Sequence, residues 1–151
     1  MPMQKNTLEW IIADIESGDN PYAMRFEPGI YARMQISARY NPMIERAKQT
    51  NICSRETAKI ICATSWGRFQ IMGFNLYDVG LNLGASVGEF MAEVAPRSQA
   101  AYFLEFCVGR GIYFTLQQLR ENQASVLRFA KVYNGSLAYA DKINARLPEI
   151  I

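Results

Sequence analysis

The run from Ala63 to Asn75 places the strongest constraint on the fold, because it is apolar yet carries polar side chains at short intervals. Its polar members include Ser65 and Gln70, and Gly67 lies between them. A packed core excludes amides and hydroxyls unless each one finds a hydrogen-bond partner. The pattern therefore favours one wall of a cleft, where polar groups face a polar ligand.

Composition narrows the chemistry that such a cleft can perform. The chain has 151 residues, 50% of them hydrophobic, which suits one domain with its own core. It has no histidine, which excludes serine–histidine and cysteine–histidine catalysis and a histidine-ligated zinc site. The three cysteines predict free, packed thiols rather than a disulfide framework. Carboxylates are left as the carriers of any chemistry, and we expect no metal and no cofactor.

Charge and hydropathy exclude two further classes of partner. The net charge of +2 is small and the basic residues are scattered, so nothing predicts nucleic-acid binding. No apolar run reaches the roughly eighteen residues of a membrane span, so we expect no stable membrane insertion. Residues 1–6 lack the apolar centre of a signal peptide, which predicts synthesis in the cytoplasm.

Helical periodicity dominates the rest of the chain. The apolar residues of a first helix, Leu8, Ile11, Ile12 and Ile15, fall on one face. Later helices are predicted to begin at the capping residues Ser54, Ser86 and Thr115. The segment 22–50 is less regular and has room for a short extended piece. We therefore expect a mainly α (α+β) fold of about seven helices, with at most a small β-ribbon beside the cleft.

Glu16 is the first candidate for catalysis. It lies in the last turn of the first helix, at the border of the apolar face. Partial burial and the negative end of the helix both disfavour its anion, which predicts a raised pKa. A carboxylic acid that stays protonated near neutral pH donates a proton to a glycosidic oxygen. Position alone also fits a solvated glutamate at a helix end.

The second carboxylate is predicted to be Glu27, on the short segment that reads as extended before Pro28. A strand beside the first helix would bring it to the opposite side of the cleft, where it stabilises positive charge or orients water. A structural ion pair is the competing interpretation. Asp19 and Asp78 are the alternative carboxylates.

Sugar-binding residues are predicted on both sides of the cleft. Trp66 offers a flat apolar face for a pyranose ring, and polar groups beside it suit sugar hydroxyls. The predicted set is Ser65, Trp66, Gln70, Asn75, Tyr133 and Asn134. For Trp66 the competing interpretation is a core position, and for Tyr133 and Asn134 it is a plain helix end before Gly135.

Four segments together resemble one known family. Glu16-Ser17-Gly18 resembles the catalytic-glutamate motif that goose-type lysozymes, lytic transglycosylases and phage endolysin-type N-acetylmuramidases share. Residues 26–31 resemble the muramidase segment Phe-Glu-Pro-His-Ile-Phe, and 65–75 resemble its Ser-Trp-Gly-Arg-Phe-Gln-Ile-Met-Gly-Phe-Asn. The closing pieces, Phe129-Ala130 and Tyr133-Asn134-Gly135, resemble its last helix and asparagine loop. The likeness runs from about residue 8 to 147, with one departure: Gly29 replaces the family's usual histidine.

This resemblance implies a lysozyme-like fold and a specific activity. Residues 1–151 would form a single catalytic domain without a separate wall-binding module. It would be a monomer that cleaves the β-1,4 bond between N-acetylmuramic acid and N-acetylglucosamine in the glycan strands of peptidoglycan. By position, Glu16 would be the proton donor, and Gln70, Tyr133 and Asn134 would bind sugar. The setting implied is phage-mediated lysis, in which a holin or another route gives access to the wall.

Three alternatives remain from the sequence. A lytic transglycosylase would use the same glutamate and leave a 1,6-anhydro product. A catalytically inactive glycan-binding protein would keep the fold, a reading that Gly29 leaves open. A helical interaction protein unrelated to sugars would leave the polar residues of the 65–75 segment unexplained.

Overall fold

The computed structural model describes residues 7–81, 83–93 and 98–149. The α-helices are α1 (Leu8–Ser17), α2 (Pro28–Ile36), α3 (Asn41–Asn51), α4 (Arg55–Cys62), α5 (Gly73–Leu76), α6 (Val87–Ala92), α7 (Gln99–Gly109), α8 (Leu116–Glu121), α9 (Gln123–Tyr133) and α10 (Tyr139–Arg146). Two 3-10 helices cover Ala38–Tyr40 and Leu147–Glu149. The strands β1 (Met24–Phe26), β2 (Thr64–Trp66) and β3 (Ile71–Met72) form one antiparallel sheet in the order β1-β2-β3. The predicted mainly helical fold with a small sheet is confirmed.

The described residues form more helices than the seven or so expected, chiefly because two prolines begin helices instead of ending elements. Pro28 occupies the first turn of α2, and Glu27 before it keeps an extended backbone as the N-cap. Pro42 likewise lies in the first turn of α3. A proline costs nothing there, since its missing N–H has no partner in the first turn and its φ already suits a helix.

Helix α1 brings the catalytic candidate to the core. Its apolar face is buried as predicted, with Ile11 and Ile12 fully inaccessible to solvent. The helix ends at Gly18, which adopts a left-handed conformation with φ of 63° and donates back to the last turn. Only glycine takes that conformation without a steric cost, so the motif after Glu16 fixes where the helix stops.

The predicted capping residues hold the later helices. Ser54 accepts from the Thr57 amide and Ser86 from the Glu89 amide. Thr115 forms a complete capping box at the start of α8. The core between these helices is aromatic: the rings of Phe69 and Phe103 stack with centroids 4.3 Å apart. The apolar 98–108 segment supplies much of this core.

The β2–β3 hairpin carries the informative polar run, and buried polar contacts fix its tip. Arg68 is almost wholly buried there, with Nη1 2.6 Å from Asp19 Oδ1 and Nε 2.9 Å from Glu93 Oε1. Its amide donates to Gln99 Oε1 at 2.7 Å, and its carbonyl accepts from Ser17 Oγ at 2.7 Å. Each buried group is paired, so the tip is held rigidly against the end of α1.

Two further observations concern the cysteines and the lengths of the helices. All three cysteines carry free thiols, with Cys62 and Cys107 buried and Cys53 half-buried, as expected. None of the helices in the described ranges is long and apolar enough to cross a bilayer.

Candidate active site

A cavity of about 360 Å³ opens between the end of α1, the sheet and the end of α9. Its size falls within the range of small-ligand sites. It brings together six of the eight predicted site residues with three that were not predicted. The lining residues are Glu16, Arg25, Glu27, Ile30, Ser65, Gln70, Met72, Tyr133 and Asn134.

Glu16 enters this cavity from the last turn of α1 and is only partly exposed to solvent. Burial raises the pKa of its carboxyl above the ordinary value of 4.5, because desolvation penalises the anion. A hydrogen bond from the Tyr139 hydroxyl to Glu16 Oε1, 3.0 Å long, acts in the opposite direction. The positive charges of Lys142 and Arg25 also oppose the rise. Burial is the largest of these effects, so the environment favours a protonated carboxyl.

Glu27 supplies a second carboxylate to the same cavity. It follows β1 directly, and its amide donates to the Ala63 carbonyl at 2.8 Å, which ties it to the neighbouring strand. Its Oε1 lies 3.3 Å from Arg25 Nε, and its side chain is 31% exposed. The cavity therefore holds one carboxyl whose pKa is raised by burial and a second carboxylate that forms an ion pair with Arg25.

The register of the sheet explains how the floor of the cavity is assembled. Ser65 lies directly opposite Arg25 on β1 and opposite Met72 on β3. Direct partners across antiparallel strands project from the same face of a sheet. The three side chains therefore share the face that lines the cavity, and Glu27 extends the same alternation beyond β1.

Gln70 is held in place before any ligand arrives. Its Oε1 accepts from Ser65 Oγ at 2.8 Å, and its Nε2 donates to the Gly67 carbonyl at 2.9 Å. Its backbone has a positive φ of 50°, a costly conformation for a residue with a side chain. Gly67 also has positive φ, of 77°, and a Cβ there would collide with the Gln99 side chain. The strained backbone at Gln70 is thus accompanied by a fixed orientation of its side-chain amide toward the cavity.

Tyr133 and Asn134 close the far side of the cavity in different ways. The Tyr133 hydroxyl donates to the Phe69 carbonyl at 2.6 Å, and its ring stacks on Phe129 with centroids 5.1 Å apart. Its hydroxyl therefore binds the hairpin backbone, and the residue helps to hold the hairpin against the end of α9. Asn134 ends α9, and its side-chain amide makes no hydrogen bond to another described residue. The amide is therefore available to a ligand.

Other depressions on the described surface lack this chemistry. One of about 510 Å³ is lined by three aliphatic and two basic residues and contains no acid: Leu127, Arg128, Lys131, Val132 and Leu137. Among the described residues, no group of three or more carboxylates and cysteines is arranged to hold a metal ion. The cavity at Glu16 is therefore the candidate active site because it contains two carboxyl groups, although another depression has a larger volume.

Comparison with known proteins agrees with this geometry. The profile of the N-acetylmuramidase family matches residues 15–150. The chain belongs to the N-acetylmuramidase family. It is also 42% identical over 139 residues to the endolysin of Enterobacteria phage PRD1, a match that covers 91% of each chain. No solved structure shows a significant match. The protein is therefore a glycoside hydrolase acting on peptidoglycan, and the family prediction is confirmed.

Two predicted sugar-binding residues of this muramidase do not line the cavity. The Trp66 indole donates to the Ile61 carbonyl at 3.0 Å and packs against the core. Asn75 Oδ1 accepts from Arg110 Nη2 at 2.9 Å, beyond the hairpin. Their position is thus corrected: Trp66 precedes the turn on the face opposite Ser65, and Asn75 has already entered α5.

The alternative carboxylates also lie elsewhere in the muramidase. Asp19 pairs with Arg68 at the hairpin tip, and Asp78 pairs with Arg110 at 2.8 Å. Neither lines the cavity, which leaves Glu27 as the second acidic residue among its described lining residues.

Four residues at or beside the site escaped the sequence analysis. Arg25 and Met72 follow from the strand register once Ser65 is placed on the cleft face. Ile30 follows from the first turn of α2, two residues after Pro28. No local pattern identifies Tyr139, because its contact with the catalytic candidate spans 123 residues of sequence.

Gly29 lies in open space in this muramidase. A Cβ built at this position meets no atom within 4 Å, and its φ is not positive. The glycine is therefore not required by packing, and the site has room for a larger side chain where the family usually has histidine.

Replacing Tyr139 by phenylalanine tests how the Glu16 pKa is set. A general acid must be protonated, so with Glu16 in that role we expect activity to fall as the pH rises through its pKa. The hydroxyl of Tyr139 stabilises the anion and lowers that pKa. We expect Tyr139→Phe to move the alkaline limb of the kcat/KM profile to higher pH. Tyr77→Phe is the matched control, since it removes a buried hydroxyl bonded to the Ala85 carbonyl outside the cavity; an equal shift in both variants would contradict this account.

Proposed function

We propose that the enzyme hydrolyses the β-1,4 bond between N-acetylmuramic acid and N-acetylglucosamine. Glu16 protonates the oxygen of the leaving sugar, and Glu27 stabilises the oxocarbenium-like charge or activates the attacking water. The observation that carries the proposal is the placement of both carboxyl groups on one cavity, with the pKa of Glu16 raised by burial.

The remaining lining residues fit a sugar chain. Gln70 and Asn134 present amides, while Ile30 and Met72 supply apolar surface for the faces of the rings. Polar groups arranged on apolar walls are the usual composition of a sugar-sized site. No metal or cofactor has a place in this scheme, because the two carboxyl groups supply both proton transfer and charge stabilisation.

The second carboxylate favours hydrolysis over lytic transglycosylation. A transglycosylase closes the muramic acid on itself and needs one glutamate, which acts as acid and then as base. Here Glu27 is available to direct a water molecule toward the same cation. An inactive binding protein has no use for a glutamate whose pKa is raised by burial, since a solvent-exposed side chain at that position would cost the fold less.

The biological role follows from the relative's description. The PRD1 protein is an endolysin, and we extend that role to this chain. The enzyme would act as a monomer, with residues 1–151 as one catalytic domain, and would degrade the host wall at the end of a phage infection. It would reach the wall from the cytoplasm through a holin lesion or another route.

Analysis of the new chain ends tests the proposed bond and reaction. Purified peptidoglycan is digested to completion, reduced with borohydride and examined by mass spectrometry. We expect reduced muramic acid at every new end, because hydrolysis leaves muramic acid as the reducing sugar. New ends on glucosamine would overturn the bond assignment. Anhydro-muramic products, lighter by one water, would replace hydrolysis by transglycosylation.

A further inference from the structure

Arg25 is the one cation among the nine described residues that line the cavity. It lies on β1, an edge strand of the sheet, and faces the cavity beside Ser65. Its side chain is 76% exposed, in contrast to the buried Arg68 at the hairpin tip. Because the Arg25 side chain is so exposed, its guanidinium is accessible to a substrate and contributes little to the stability of the fold.

The guanidinium of Arg25 has N–H donors that no described residue uses. Its Nε contacts Glu27 Oε1 at 3.3 Å, and within the described ranges its two Nη groups make no hydrogen bond. Arginine carries five N–H donors in a planar fork that matches the two oxygens of a carboxylate. One edge of Arg25 is therefore free to bind a carboxylate in a bidentate manner while the Nε contact to Glu27 remains.

A positive charge in this place works against the proposed chemistry unless it is balanced. The transition state of glycoside cleavage carries an oxocarbenium-like positive charge, which a neighbouring guanidinium destabilises. Glu27 offsets part of that effect through its ion pair. An anionic group on the substrate, placed against the free edge of Arg25, would offset the rest and so make binding and catalysis depend on it.

Peptidoglycan offers such a group on one of its two sugars. Muramic acid differs from glucosamine by a lactyl ether, which carries an acidic peptide stem. When the stem is absent, the lactyl group ends in a carboxylate of its own. Either source presents a carboxylate beside the sugar whose bond is cleaved, and the alternating glucosamine has neither.

Resting on the function proposed above, we propose that Arg25 forms a subsite for a carboxylate of the muramyl substituent. The subsite distinguishes muramic acid from glucosamine at the cleaved bond. It selects strands whose substituents are ionised over strands whose substituents are neutral.

The test combines a change in the enzyme with a change in the substrate. Soluble glycan strands bearing peptide stems are compared with the same strands after their carboxylates are converted to carboxamides with carbodiimide and ammonia. For the wild type we expect kcat/KM to fall about tenfold on the carboxamide strands, the scale of one charge-assisted hydrogen bond. For Arg25→Gln we expect nearly equal values on both. Any effect of the substitution through Glu27 alters both substrates alike and cancels in the ratio.

The matched control is Arg33→Gln, which removes one positive charge from an exposed position on α2 outside the cavity. It should discriminate as the wild type does. Stem-free strands, whose lactyl carboxylates are free, form a third arm with their own carboxamide derivative. A loss of kcat/KM on that derivative alone would assign the subsite to the lactyl carboxylate, and a loss on the stem-bearing carboxamide strands would assign it to the stem.

Discrimination that survives in Arg25→Gln would overturn the subsite. So would a wild type that cleaves native and carboxamide strands equally both with and without peptide stems. Those results are distinct from failure of the function itself. A wild type that cleaves no strand of any kind would overturn the proposed function and this inference with it.

Discussion

Glu16→Gln is expected to lower the rate of peptidoglycan cleavage by at least about a hundredfold. Glutamine keeps the size and polarity of the side chain, and it can still receive the hydrogen bond from the Tyr139 hydroxyl. It has no proton to give to the glycosidic oxygen. The measurement is the initial rate of release of reducing ends from purified wall, with Asp14→Asn as a control for removing an acid from the same helix outside the cavity.

The same substitution should not weaken the fold. Burial holds the pKa of Glu16 above its unfolded value, so the folded state loses stability as the pH rises through that range. Glutamine removes this pH-dependent cost, and we expect the Tm of Glu16→Gln at neutral pH to equal or exceed that of the wild type. A low Tm together with low activity would show a folding defect, and near-normal turnover would rule out Glu16 as the acid.

Gly73→Ala is expected to destabilise the protein by about 3 kcal/mol, which is about 6–12 °C in Tm. Gly73 begins α5 directly after β3, and an added Cβ would collide with the carbonyl oxygen of Ile61 at the end of α4. It would also lie 2.7 Å from the Ile61 carbonyl carbon and 2.8 Å from Cys62 Cα. Backbone atoms cannot rotate away as a side chain can. The Ile61 carbonyl also receives the Trp66 indole N–H, so displacing it disturbs the hairpin too.

Gly29→Ala is the matched control, because the same methyl group enters open space there. Alanine restricts the unfolded chain and suits a helix, so this variant should be equal to the wild type or more stable by less than about 1 kcal/mol. Thermal unfolding of both variants under identical conditions makes the comparison. Equal Tm values for Gly73→Ala and Gly29→Ala would contradict the close contact between the start of α5 and the end of α4.

Local rules in the sequence account for much of the fold and for part of the site. The spacing of Ile11 and Ile12 predicts the buried face of α1, and the motif after Glu16 predicts its left-handed end at Gly18. Capping residues identify helix starts because the hydrogen bond they make lies within three residues. Such features depend on neighbours in sequence, so they are visible before any tertiary contact is known.

The contacts that complete the site join residues far apart in the sequence, so local sequence patterns do not predict them. Tyr139 reaches Glu16 across 123 positions, and Tyr133 reaches the Phe69 carbonyl across 64. The sequence pattern places Trp66 beside Ser65 in the cleft, but a strand alternates its faces, so the residue after Ser65 points to the other side. The register of the strands decides which side chains face the cavity. In this chain the register depends on the pairing of β1 (24–26) with β2 (64–66), a contact between segments far apart in the sequence.

Titration of the Glu16 carboxyl itself decides whether this residue can act as the acid. Carbon-13 NMR of the labelled side chain follows its protonation, with Glu16→Gln used to assign the signal. We expect a pKa above the ordinary 4.5, coincident with the alkaline limb of kcat/KM for wall cleavage. A Glu16 pKa at or below 4.5, with activity persisting at far higher pH, would contradict that role.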